Sequence, residues 1–179
     1  SANAGMAEAQ FVLGNLVEAE SFAEKALKQN PDHIRAKLVK GAVVAERGEW
    51  LTSRKLFQSA MKSSHTSTLA GRKFAKALMR QNLLGEAEEV LKDTLIGNSF
   101  DAPTLELYSE LLFLQQRFNL AIEYRIDAEE KYRSAGNSIK ADEMLAWLNI
   151  RGLQELKKIE KPEETVPVVE EPVSTSQPI

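Results

Sequence analysis

The densest set of groups that could do chemistry is cationic. Arg72, Lys73, Lys76 and Arg80 fall at i, i+1, i+4 and i+8, so on a helix all four share one stripe. Like charges this close repel and add nothing to the helix itself. Two readings remain: a solvated basic face, or a seat for a carboxylate-bearing segment. No aromatic residue falls on the stripe to stack on bases, which argues against nucleic acid. Catalysis finds no support. His33 and His65 fall in short breaks between apolar runs, without the acid or nucleophile spacing that would make either a general base. The acid pairs Glu88-Glu89 and Glu129-Glu130 read as solvated helix faces. With no cysteine and only those two histidines, thiolate and histidine-based metal sites are not expected. No glycine-rich phosphate loop is present, so no cofactor is expected.

These groups must be held by something, and the composition says what. The chain has 179 residues, 43% of them hydrophobic and 27% charged. That is one globular domain's worth of chain with enough apolar material for a core. No apolar run is long enough to span a membrane, and the opening SANAGMAEAQ lacks the basic start and apolar stretch of a signal peptide. The chain therefore reads as soluble, cytoplasmic by default, or periplasmic where a signal has been removed. Residues 159–179 carry five acids against one lysine, which leaves the first 158 residues at +1 of the chain's −3. Four of the six prolines fall in this last stretch, with no glycine and no aromatic. It reads as an extended, disordered tail, and its TVPVVEEP run as a short ligand segment if it has a partner.

The body, residues 1–158, reads as helix throughout. Apolar residues recur at three and four, as in Leu51, Leu56, Phe57, Ala60 and Met61. The breaks are short: GN at 14–15, NPDH at 30–33, GE at 48–49, SSHTS at 63–67, QN at 81–82, GNSFD at 97–101, QR at 116–117 and SAGNS at 134–138. This predicts about nine helices in antiparallel pairs. Gly14, Gly48 and Asn82 suit a left-handed helix end; Gln116 suits it less well. Asp101 is placed to cap the next helix, with Pro103 tolerated in its first turn.

A period of 34 organises these helices. Ala19, Ser53, Ala87 and Ala121 are 34 apart and all small; Ala26, Ala60, Thr94 and Ala128 repeat the pattern seven residues on. Leu16, Trp50, Leu84 and Phe118 are all large and apolar, and Gly14, Gly48, Asn82 and Gln116 mark the turns. Small residues let paired helices approach closely, and pairs that cannot bury an apolar face alone must stack. On these residues the chain resembles the tetratricopeptide repeat family. Repeat 2 shows the likeness best, with Gly41, Gly48, Trp50, Ser53, Phe57 and Ala60; repeat 1 adds LGNLVEAESFAEKALKQNP, with Pro31 closing it. The four copies, at about 1–33, 34–67, 68–101 and 102–135, are followed by a capping helix at about 137–158. The family's large residue early in the first helix is here Asn3, Lys37, Gly71 and Leu105, and its closing proline becomes His65, Ser99 and Arg133 after the first copy.

The resemblance implies an all-α, right-handed superhelical stack whose first helices line a concave groove. In the 34-residue register repeat 2 then presents Arg35, Leu38, Val39 and Ala42. Repeat 3 presents Arg72, Lys73, Lys76, Met79 and Arg80. Repeat 4 presents Glu106, Leu107, Glu110 and Phe113, and the cap presents Trp147. The family's two-carboxylate clamp is not matched: its positions hold Ala4, Glu8, Val39, Leu69 and Lys73. The implied function is a non-enzymatic protein-interaction scaffold that binds a peptide or helix, an acidic one by the repeat 3 stripe, in its groove. The alternative is an accessory or assembly domain at the C-terminal end of a larger enzyme or machine. Self-association through the weak first helix, SANAGMAEAQFVL, or through the tail is a further expectation.

Overall fold

The computed structural model describes residues 1–62 and 67–152. The tail from residue 159, the end of the expected capping helix at 153–158, and His65 lie outside them. Within the described residues there are nine α-helices and no strand. Four pairs come first: α1 (Ala2–Val12) with α2 (Leu16–Gln29), α3 (Ile34–Glu46) with α4 (Trp50–Met61), α5 (Ser67–Arg80) with α6 (Leu84–Gly97), and α7 (Ala102–Leu114) with α8 (Phe118–Ser134). Then α9 (Ser138–Trp147) runs into a π-helical turn, Leu148–Gly152, and packs on α8.

The turns within pairs are built alike. Gly14, Gly48, Asn82, Gln116 and Gly136 all have φ between +60° and +82°. At each, two backbone bonds close the preceding helix: the N–H after the left-handed residue reaches back five residues, and that residue's own N–H reaches back three. Asn15 to Gln10 (2.9 Å) with Gly14 to Phe11 (3.0 Å) is one case, and Arg117 to Leu112 (2.9 Å) with Gln116 to Phe113 (3.0 Å) another. This is the Schellman closure. Gln116, which the sequence reading disfavoured here, adopts it too, because the two backbone bonds fix the turn whatever side chain it carries. The loops between pairs use polar side chains instead. Asp101 caps α7 by accepting from Thr104 N–H at 3.1 Å, and His33 Nδ1 faces Ala36 N–H at 3.4 Å.

The small-residue registers are the core of the stack. Ala19, Ser53, Ala87 and Ala121 are fully buried, as are Ala26, Ala60 and Ala128, with Thr94 nearly so. The structure adds a third register opposite the first: Ala7, Gly41, Ala75 and Ser109, all buried. These two sets meet where the helices of a pair cross. In repeat 2 the Ser53 hydroxyl donates to the Gly41 carbonyl (2.9 Å); in repeat 4 the Ser109 hydroxyl donates to the Ala121 carbonyl (2.6 Å). Between pairs, larger side chains fill the space, as where Phe57 stacks on Phe74 with ring centroids 4.9 Å apart.

The direction of curvature follows from which helices touch. The backbones of successive first helices approach closely, α1 to α3, α3 to α5 and α5 to α7, whereas among the described residues those of successive second helices do not, and α4 meets α6 through the long side chains of Arg54 and Glu86. The first helices are therefore crowded on the inside of the curve, and they line its concave face.

Candidate partner-binding groove

Every residue expected in the groove lines a hollow on this inner face. A cleft of about 360 Å³ between α1, α3 and α5 is lined by Leu38, Val39, Ala42, Arg72, Lys73, Lys76 and Arg80, with Glu8 and Phe11 from α1. Arg35 lines a neighbouring hollow with Asn30 and His33. A cleft of about 400 Å³ is lined by Arg72, Lys76, Glu106, Leu107, Glu110, Tyr132 and Lys140. A third, of about 230 Å³, is lined by Met79, Glu110, Phe113, Leu114, Arg125, Trp147 and Arg151.

Two expectations need correction. Leu38, Val39 and Leu107 are 0%, 2% and 2% exposed, so they form the floor and offer little surface to a partner. For Leu38 and Val39 the curvature causes this: α1 and α5 close over α3, and Lys73 Nζ meets Glu8 across it at 2.7 Å; Leu107 on α7 is buried in the main core cluster. The basic stripe, in turn, is largely satisfied within the chain. Arg72 pairs with Asp101, Lys73 with Glu8, and Arg80 with Glu46 at 2.9 Å. Glu8 is also 3.8 Å from Arg35, and the hydrogen bond from Lys73 holds its carboxyl below the usual range. Only Lys76 of the four is exposed and without an ion pair among the described residues. The partners of Arg72, Lys73 and Arg80 lie 29, 65 and 34 residues away, respectively, too far for any local pattern to reveal.

The C-terminal half of the groove is mixed in charge. Glu106 accepts from the Tyr132 hydroxyl at 2.6 Å and lies 3.4 Å from Lys140. Burial pushes the Tyr132 phenol up, and the bond to Glu106 adds to this. Glu110 is solvent-exposed yet sits deep in the concavity, where the surrounding protein raises its carboxyl. Phe113 packs edge-on against Trp147 (5.3 Å) and Phe118 (5.1 Å). The sequence reading missed Arg125, which is 3% exposed. A signal existed. Arg125 occupies the register of Ala23, Phe57 and Leu91, all fully buried, so it is a charge at a core position.

This architecture superposes on solved helical-repeat structures along most of its length. The crystal structure of MamA matches with a TM-score of 0.52 at 15% identity, covering 87% of this chain and 96% of that one. YrrB, described as a TPR protein with an unusual peptide-binding site, matches with a TM-score of 0.50 at 16% identity, covering 89% and 91%. MamA from Desulfovibrio magneticus RS-1 matches with a TM-score of 0.52 at 12% identity, covering 89% and 96%. This is the tetratricopeptide-repeat fold. No protein-family model and no curated protein matches the sequence. At these identities the likeness is one of fold, and the resemblance read from the 34-residue register agrees with it. No described helix of the TPR-like stack is long and apolar enough to cross a membrane.

Proposed function

We propose that this chain is a non-enzymatic protein-interaction scaffold that holds a peptide or helical segment of its partner in the concave groove. One observation carries the reading: three hollows run end to end along the inner face, each combining apolar walls with charged side chains. Concave sites of this size and mixed lining are where ligands are gripped. The exposed ammonium of Lys76 lines two of the hollows and favours an acidic segment there. The test is a pull-down with the full chain, followed by amide exchange on the purified complex. Protection along α1, α3, α5 and α7 supports the groove; protection confined to α2, α4, α6 and α8 overturns it.

A second reading, an accessory domain stacked on a larger assembly, draws support from α1. Ala2, Gly5, Met6, Ala9, Val12 and Leu13 are exposed along one stripe of that helix. The corresponding positions Ala36, Val39 and Val43 of α3 are buried with residues of α1 and α2 in shared clusters. The α1 stripe thus matches a surface that the repeat elsewhere covers with a helix pair. Light scattering on the chain and on Val12→Glu separates this from self-association: a monomer for both removes a second copy as the cover.

A further inference from the structure

The hollow of about 230 Å³ between α5, α7, α8 and α9 differs from the rest of the groove. Met79, Phe113, Leu114 and Trp147 form its walls, and Arg125 lies at its base. Burying a guanidinium is costly unless a carboxylate pairs with it, and here it stands at a register that is apolar in every other repeat. Among the described residues no carboxylate forms an ion pair with it. Its Nε donates to the Ser109 hydroxyl at 3.1 Å, its Nη1 lies 3.2 Å from the Met144 sulfur, and the Trp147 ring covers one face at 4.4 Å. A guanidinium has five N–H donors, and a thioether is a weak acceptor. Donors therefore remain for a group entering the hollow. Arg151 stands over Phe113 at 6.0 Å on the same rim, and Glu110 is the one acid in the lining.

We propose that this hollow is the anchor site of the groove: it takes an aromatic or large aliphatic side chain flanked by a carboxylate. The apolar group packs on Phe113 and Trp147, and the carboxylate reaches Arg125, with Arg151 at the rim. The assignment rests on the groove reading above and adds a second seat for a carboxylate, in repeat 4, to the exposed Lys76 of repeat 3, whose stripe is otherwise mostly paired. Two guanidiniums against one carboxylate leave the hollow one positive charge in excess, which suits a single carboxylate. Glu110 competes for Arg125, because the two attract one another across the hollow without pairing.

The test uses the full chain and two blocked tetrapeptides, Gly-Phe-Glu-Gly and Gly-Phe-Gln-Gly. The readout is the indole N–H resonance of Trp147, assigned against Trp50, the other tryptophan. The glutamate peptide is expected to bind about tenfold more tightly than the glutamine peptide, the yield of one charge-assisted hydrogen bond. Glu110→Gln should tighten the glutamate peptide several-fold and leave the glutamine peptide unchanged. Arg125→Met should abolish the difference; should that variant fail to fold, Glu110→Gln alone decides. Equal binding of the two peptides, no shift of Trp147 with either, or no gain in Glu110→Gln overturns the assignment and leaves Arg125 as an internal prop for Trp147. None of those results touches the groove reading, which stands or falls on the amide footprint of the captured partner.

Discussion

Thr94 is the largest member of a register that holds alanine in the other three repeats. Its room comes from Gly71 on α5: a Cβ at Gly71 would lie 2.1 Å from the Thr94 hydroxyl oxygen and 3.1 Å from its Cβ. In repeat 4 the same two positions hold Leu105 and Ala128, which share one cluster. Volume is thus exchanged between facing positions while the helices keep their spacing. Gly71→Ala is expected to cost about 1–3 kcal/mol by overpacking. Adding Thr94→Ala should recover a large part of that, a coupling that urea melts of the double-mutant cycle will read. Gln116 offers the opposite case. At φ +62° it holds a conformation that costs a side-chain residue roughly 1–2 kcal/mol, against the backbone freedom glycine loses on folding, about 0.5–1 kcal/mol. Gln116→Gly should therefore gain on the order of 0.5–1 kcal/mol, seen as a higher urea midpoint with unchanged slope. An unchanged or lower midpoint would show that the Gln116 side chain contributes something to the turn.

Two helices and the turn that follows them are tied by one carboxylate. Glu88 on α6 receives Lys92 at 2.9 Å, Arg117 at 2.8 Å, Gln115 at 3.0 Å and the Tyr108 hydroxyl at 3.2 Å. Burial on its own would raise this carboxyl; the hydrogen bonds from Lys92, Arg117 and Gln115 outweigh it and hold it down at about 2. Burial pushes the Tyr108 phenol up to about 12, with the charge on Glu88 adding to this. A group whose folded value is depressed stabilises the fold above its unfolded value, and that stability is lost as pH falls through the folded one. The contribution of Glu88 is thus present above about 4.5 and fades toward 2. Urea midpoints of the chain and of Glu88→Gln should differ most near neutrality and converge as pH falls through that window. A gap that stays constant across it would mean the acid is not ionised in the fold. Of this tie, only the helix boundaries were legible in sequence. Glu88 reads as half of a solvated acid pair, because Tyr108, Gln115 and Arg117 come to it from the next repeat.

The curvature of the whole stack decides which charges a partner can meet. Lys73 and Glu8 clasp α5 to α1 over the floor of the first cleft, so reversing Lys73 would set like charges face to face and test the fold as much as the binding. Lys76 is the clean probe of charge, and Phe113 of apolar contact. Lys76→Glu should weaken a captured acidic partner most at low salt, since exposed charges are screened over about 8 Å at physiological ionic strength. Phe113→Ala should weaken it at every salt, because packing against an aromatic wall is not screened. Titrations of both variants across a salt series check this. A silent Phe113→Ala would place the partner outside the C-terminal half of the groove.

The sequence by itself determined the elements, the period and the face each small residue buries. Those are local properties: helix ends follow from residues like Gly14, Gly48 and Asp101, and 34-residue spacing repeats one packing solution. By register it also put a set of residues along the inner face, and these line hollows there. The tertiary structure decided which of them a partner can reach. Leu38 and Val39 lie on the inner face by register, but only the curvature shows that α1 and α5 bury them. Arg72, Lys73 and Arg80 make a stripe on one helix, but their acids arrive from α7, α1 and α3. Arg125 breaks the apolar register visibly in the sequence, yet its surroundings come from two other helices, Ser109 from α7 and Met144 and Trp147 from α9. Charge pairing and exposure depend on distances between elements, and those are fixed only when the pairs stack.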